Sequence, residues 1–163
     1  MDAIIDGYNL LHAIGLASRK TNAAGLARAR TRLLDWLADR GAGHTLLVVF
    51  DGAARANGDS SGEHRGVRWR FSTDGTADEL IEELIRAEHR PAKRTVVSND
   101  RQVQDAARSR GCAVRTCEEF TDEMIAEPRK PAATPEERAP PPSEAETAAW
   151  LEAFSKPKPR PRR

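Results

Sequence analysis

At 163 residues, with 26 Lys and Arg against 25 Asp and Glu, the chain has room for one domain of ordinary size and a net charge of only +1. That balance excludes a uniformly basic, nucleic-acid-coating protein. No apolar run approaches the ~20 residues a membrane span needs, and no basic region followed by a long apolar stretch marks a signal peptide at the N-terminus.

The chain opens MDAIIDGYNLLHA, in which residues 3–5 read as a short apolar strand ending at Asp6, before the chain turns helical. Leu26, Ala29, Leu33, Leu34 and Leu37 recur at helical spacing and predict a helix over 25–40, stopped by Gly41. TLLVVF, residues 45–50, is a continuous apolar run, as expected of a strand covered on both faces. Residues 52–66, GAARANGDSSGEHRG, read as a glycine-rich polar loop. Val67, Trp69 and Phe71 alternate with arginines and predict a half-exposed strand. Thr76 and Glu79 form a capping box for a helix over 76–88 that buries Leu80, Ile81, Leu84 and Ile85. A strand over 94–98, a helix over 101–110 ending at Gly111, a short strand over 112–115 and a helical piece over 118–126 complete the alternation.

Nine of the ten prolines lie at Pro128 or later. This shift divides the chain into a folded domain, 1–126, and a Pro-rich segment, 127–163. Within the latter, Ser143 and Glu146 fit a capping box for a short helix over 143–154, and the end, KPKPRPRR, has the charge to hold phosphates. Cys112 and Cys117 stand outside any CxxC pair or His/Cys cluster and read as reduced, structural thiols of a cytoplasmic protein. The alternation of strands and helices predicts an α/β domain with a mostly parallel sheet between helices, in which ligands bind outside the carboxyl ends of the strands.

Three strands in this reading end in an aspartate: Asp6 after the first, Asp51 after TLLVVF, and Asp100 after VVSN. If the strands are parallel, the three lie at one edge of the sheet. Asp78, in the first turn of the helix capped by Thr76, is a fourth candidate. Each has a structural explanation of its own, since Asp commonly serves as a turn or N-cap residue. Together they repel one another, and a hard divalent cation such as Mg²⁺ or Mn²⁺ offsets that repulsion through oxygen ligands. Gly7 would let the chain turn sharply after Asp6, and Asn9 would hydrogen-bond a carboxylate.

The same residues carry a resemblance. IIDGYNLL, VVFDG, FSTDGTADELIEE and VVSND, in that order and spacing, resemble the YacP-like branch of the NYN domains, within the PIN-like nuclease superfamily. The likeness runs from Ile4 to about Thr116; the Pro-rich tail is not part of it. The resemblance implies a PIN-like three-layer fold and a Mg²⁺- or Mn²⁺-dependent endoribonuclease acting on RNA, namely messenger RNA on the ribosome. It implies Asp6, Asp78 and Asp100 as catalytic metal ligands, Asp51 as a further metal ligand and Asn9 as a catalytic residue in polar support.

For the substrate, Arg55, His64 and Arg65 in the polar loop and Arg68 and Arg70 on the next strand are candidate phosphate contacts. Tyr8 and Trp69 are candidates to stack on bases. His64 need not act as a base, since a metal ion itself activates water. The competing reading is a non-catalytic RNA- or ribosome-binding module of the same fold. A phosphatase of the haloacid dehalogenase type expects a second Asp two residues after the first, where this chain has Tyr8.

Overall fold

The computed structural model describes residues 1–52, 60–73 and 75–126. Arg55, the helix expected over 143–154 and the basic tail lie outside them. Among the described residues, the strands are β1 (Asp2–Asp6), β2 (Thr45–Phe50), β3 (Ser61–His64), β4 (Val67–Phe71), β5 (Arg94–Val97) and β6 (Ala113–Arg115). The helices are α1 (Gly7–Ala13), α2 (Ala23–Arg40), α3 (Ala77–Ala87), α4 (Arg101–Arg110) and α5 (Cys117–Ala126).

The strands form one sheet in the order β3-β4-β2-β1-β5-β6. All neighbours are parallel except β3, which runs antiparallel to β4. Ile5, Val48, Phe50, Leu33, Leu37 and Phe120 pack on one face, which α1, α2 and α5 cover. Ile4, Val49, Val96, Ile81, Ile85 and Val103 pack on the other, under α3 and α4. Successive strand residues point to opposite faces, and both faces of β1 and β2 are covered; that is why TLLVVF has no polar alternation. The result is the expected three-layer α/β domain.

Local chemistry sets the helix ends. The Thr76 hydroxyl accepts from the Glu79 N–H at 3.2 Å, and the Glu79 carboxylate accepts from the Thr76 N–H at 2.9 Å, so the capping box of α3 is complete. α4 ends at Gly111, at φ 89°, a left-handed conformation that glycine adopts without steric cost.

Two expectations change. Part of the polar loop is a strand: β3 pairs with β4 through a two-residue turn, Arg65-Gly66, with φ of 49° and 86°. Turns with both central residues at positive φ match the strand twist, but Asn-Gly or Asp-Gly is their usual signature, and SGEH lacks the apolar alternation that announces a strand. Gly7 does not make a sharp turn either. It is the first residue of α1, and the positive-φ glycines do not include it. What it supplies is space: a Cβ there would overlap the Phe50 ring and sit 2.9 Å from the Val49 carbonyl oxygen.

Phe50 is fully buried and has nowhere to move. Gly7→Ala is therefore expected to lower the unfolding free energy by about 1–3 kcal/mol, the usual cost of overpacking, as read from urea melts. Unchanged stability would show that α1 shifts freely over β2.

Candidate active site

β1, β2 and β5 are adjacent and parallel, so the three strand-end aspartates do lie at one edge. Asp6 ends β1 and caps α1, with its carboxylate accepting the Asn9 N–H at 3.0 Å. The Asn9 side-chain amide and the Ser98 hydroxyl, the latter at 3.2 Å, both donate to the other carboxylate oxygen. Asp6 is only 4% exposed, and burial pushes its pKa up despite these bonds.

Asp51 directly follows β2 and accepts from the buried Ser72 hydroxyl at 3.2 Å. Asp78 projects from the first turn of α3. Together with Asn9, these three aspartates line one cleft of about 210 Å³. Asp100 stands beside it. One of its carboxylate oxygens caps α4, at 2.7 Å from the Gln102 N–H and 3.2 Å from that of Val103. Its own N–H donates at 3.0 Å to Ser98, whose hydroxyl reaches Asp6.

The convergence registers at Asp78. Its pKa is raised to about 6, first by burial and then by the charges of Asp6, Asp100, Asp51 and Glu82. Four carboxylates from four separate elements thus share one electrostatic environment. Among the described residues no three acidic, His or Cys side chains stand grouped closely enough to hold a metal ion directly. The donor set is nevertheless all oxygen and strongly anionic, which suits a hard divalent cation that keeps some of its waters.

A model of the YacP-like NYN domain matches residues 3–154. The chain belongs to that family. Two solved structures of Rae1 (YacP) from Bacillus subtilis are similar to it at 26% identity. One has a TM-score of 0.59 and covers 77% of this chain and 74% of its own; a single-substitution mutant has a TM-score of 0.57, with 76% and 74% covered. No curated protein matches the chain. YacP-like NYN domains are PIN-like nucleases, so membership implies a hydrolase acting on RNA. The family match extends past Thr116, where the likeness read from the sequence ends, into the Pro-rich segment. No helix among the described residues is long and apolar enough to cross a membrane.

The candidate phosphate contacts separate. The β3–β4 turn lies at the amino end of β4, whereas the carboxylates lie at the carboxyl end of the parallel strands. The structure therefore does not bring Arg65 to the acidic cleft. Arg65 instead pairs with Asp39 at 2.7 Å and Asp35 at 3.6 Å on α2, and His64 pairs with Asp35 at 2.7 Å. Arg68 and Arg70 are exposed on β4. Tyr8 and His12, one turn apart on α1, line the acidic cleft, whereas Trp69 packs against the core and Phe71. Sequence reasoning missed Ser98 and Ser72, the buried hydroxyls that orient Asp6 and Asp51. The signal for Ser98 was its place in VVSND, two residues before Asp100.

The raised pKa of Asp78 has a consequence for stability. A carboxyl with a higher pKa folded than unfolded costs nothing below the unfolded value, 3.8. The cost grows as pH rises from there and is complete above about 6. In EDTA, Asp78→Asn is expected to melt above the wild type at pH 8, with the advantage shrinking below pH 6 and gone near pH 4. Thermal melts across pH check this; a lower melting temperature for the variant at pH 8 would mean that the carboxylate aids folding.

Proposed function

We propose that this protein is a Mg²⁺- or Mn²⁺-dependent endoribonuclease that hydrolyses RNA phosphodiester bonds. The observation that carries the reading is the convergence of Asp6, Asp51 and Asp78 on one cleft, with Asp100 linked to Asp6 through Ser98, in a chain of a nuclease family. Asp6, Asp78 and Asp100 would hold the metal, with Asp51 as a further acidic contact. When bound, the metal activates water and stabilises charge on the leaving oxygen.

The chain's own residues prepare that site. Asn9 and Ser98 fix the Asp6 carboxylate by three hydrogen bonds, so its orientation is set before substrate arrives. Capping α4 occupies one oxygen of Asp100 and leaves the other available. The Ser72 hydroxyl steadies Asp51, and the capping box fixes the turn of α3 that carries Asp78. Asp78 must be ionised to bind a cation, and its pKa of about 6 leaves it so at neutral pH.

The same reading takes messenger RNA on the ribosome as the substrate and the cytoplasm as the location, as the resemblance of the motifs implies. Residues 1–126 are the nuclease domain, and the basic end of 127–163 adds phosphate affinity.

Purified full-length protein should cleave RNA with Mn²⁺ or Mg²⁺, stop in EDTA, and lose cleavage as Asp6→Asn or Asp78→Asn. Free RNA and translating ribosomes offered side by side show whether the ribosome is needed. Full turnover by Asp6→Asn would overturn the assignment, and folded, metal-loaded protein that cleaves neither substrate would point to a binding module.

A further inference from the structure

α3 packs chiefly over β1 and β2, while α2 covers β3 and β4 from the opposite side. Among the described residues the α3 side of β4 is therefore open, and a groove of about 630 Å³ runs there between the β3–β4 hairpin and Leu84 of α3. A second cleft, of about 280 Å³, continues it at Ser60 and Arg70 and reaches Ser72 and Thr76. Thr76 also lines the acidic cleft, and Ser72 bonds Asp51. Shared lining residues thus link the groove on β4, through the second cleft, to the cleft of the carboxylates.

The side chains of Arg68 and Arg70 stand on this path. Alternate residues of a strand share a face, so both guanidiniums project to the side away from Val67 and Phe71, which are buried under α2. Both are exposed, and neither makes an ion pair or side-chain hydrogen bond among the described residues. Elsewhere among the described residues Arg65, Arg94, Arg108 and Arg115 hold carboxylates, whereas exposed arginines such as Arg28, Arg32 and Arg86 do not; what sets Arg68 and Arg70 apart is their place together on this path. Of the acids beside the path, Glu79 is engaged in the capping box, whereas Glu63 and Glu83 are exposed.

We propose that this open face of β4 is the track along which single-stranded RNA enters the acidic cleft, with Arg68 and Arg70 holding two successive phosphates. The inference rests on the ribonuclease reading and adds the route of the substrate. An arginine fork suits a phosphate, and an unpaired one loses no existing partner on binding it. Arg68 and Arg70 are two residues apart on one strand, about 6.8 Å, a spacing that successive phosphates of an extended single strand can match. Glu63 and Glu83 keep the groove from being strongly positive, so grip on the backbone is modest and the strand can move.

The test uses full-length protein in EDTA, with a fluorescent, unstructured oligoribonucleotide titrated at several KCl concentrations. Arg68→Gln/Arg70→Gln is expected to weaken binding about tenfold at low salt. The slope of log affinity against log salt should fall by about 0.7 for each arginine lost, the single-strand value per phosphate. Lys93→Gln, an exposed charge at the opposite edge of the sheet, should change neither. With metal restored, the double variant should raise KM. Wild-type affinity and slope in a folded double variant would overturn the track, as would no RNA binding by the wild type at low salt. Arginine-dependent binding without cleavage in Mn²⁺ or Mg²⁺ would leave the track standing and sink the nuclease reading instead.

Discussion

Burying the Asp6 carboxylate is the constraint around which this domain is arranged. A charged oxygen pair at 4% exposure is expensive unless every lone pair is engaged. Here the described partners are all neutral: the Asn9 backbone, the Asn9 amide and the Ser98 hydroxyl. They come from α1 and from the end of β5, so the cost is met only when β1 and β5 pair in register and α1 folds back over β2. Gly7, pressed against Phe50, is the point at which that fold-back has no slack.

The same constraint explains why the acidic edge is assembled from so many elements. A parallel sheet delivers strand ends to one side, and each helix that follows begins there with its positive dipole end. Asp6 and Asp100 serve as caps as well as members of the cluster. Helix capping contributes about 1 kcal/mol at each and so offsets part of the repulsion. Asp78 makes no capping hydrogen bond among the described residues, and it is the carboxylate whose pKa moves to about 6. Local structure thus absorbs some of the strain among the acids and concentrates the remainder on α3.

Much of this was legible in the sequence because the informative signals are local. TLLVVF states its double burial, the Thr76–Glu79 spacing states its capping box, and aspartates after apolar runs state a shared edge once the strands are parallel. Less legible was anything fixed by pairing across the fold. SGEH becomes a strand through its neighbour β4, without apolar alternation of its own. Arg65 lies near Arg68 in the chain, yet the hairpin turn sends it to the opposite edge and into the carboxylates of α2. Ser98 reads in the sequence as the last residue of a strand, and its hydroxyl joins neighbouring Asp100 to Asp6 and Asn9, ~90 residues away in the chain.

The capping box of α3 also bears on how this domain tolerates change. Thr76 and Glu79 lock the first turn to its own start, and Asp78 lies between them. An insertion before Thr76 lengthens a connection and leaves the turn, with its carboxylate, aimed as before. One residue gained or lost between Thr76 and Asp78 swings the carboxylate by about 100° around the helix axis, away from the other acids. Length variation is therefore least tolerable in the two positions that follow the threonine, a constraint set by two hydrogen bonds.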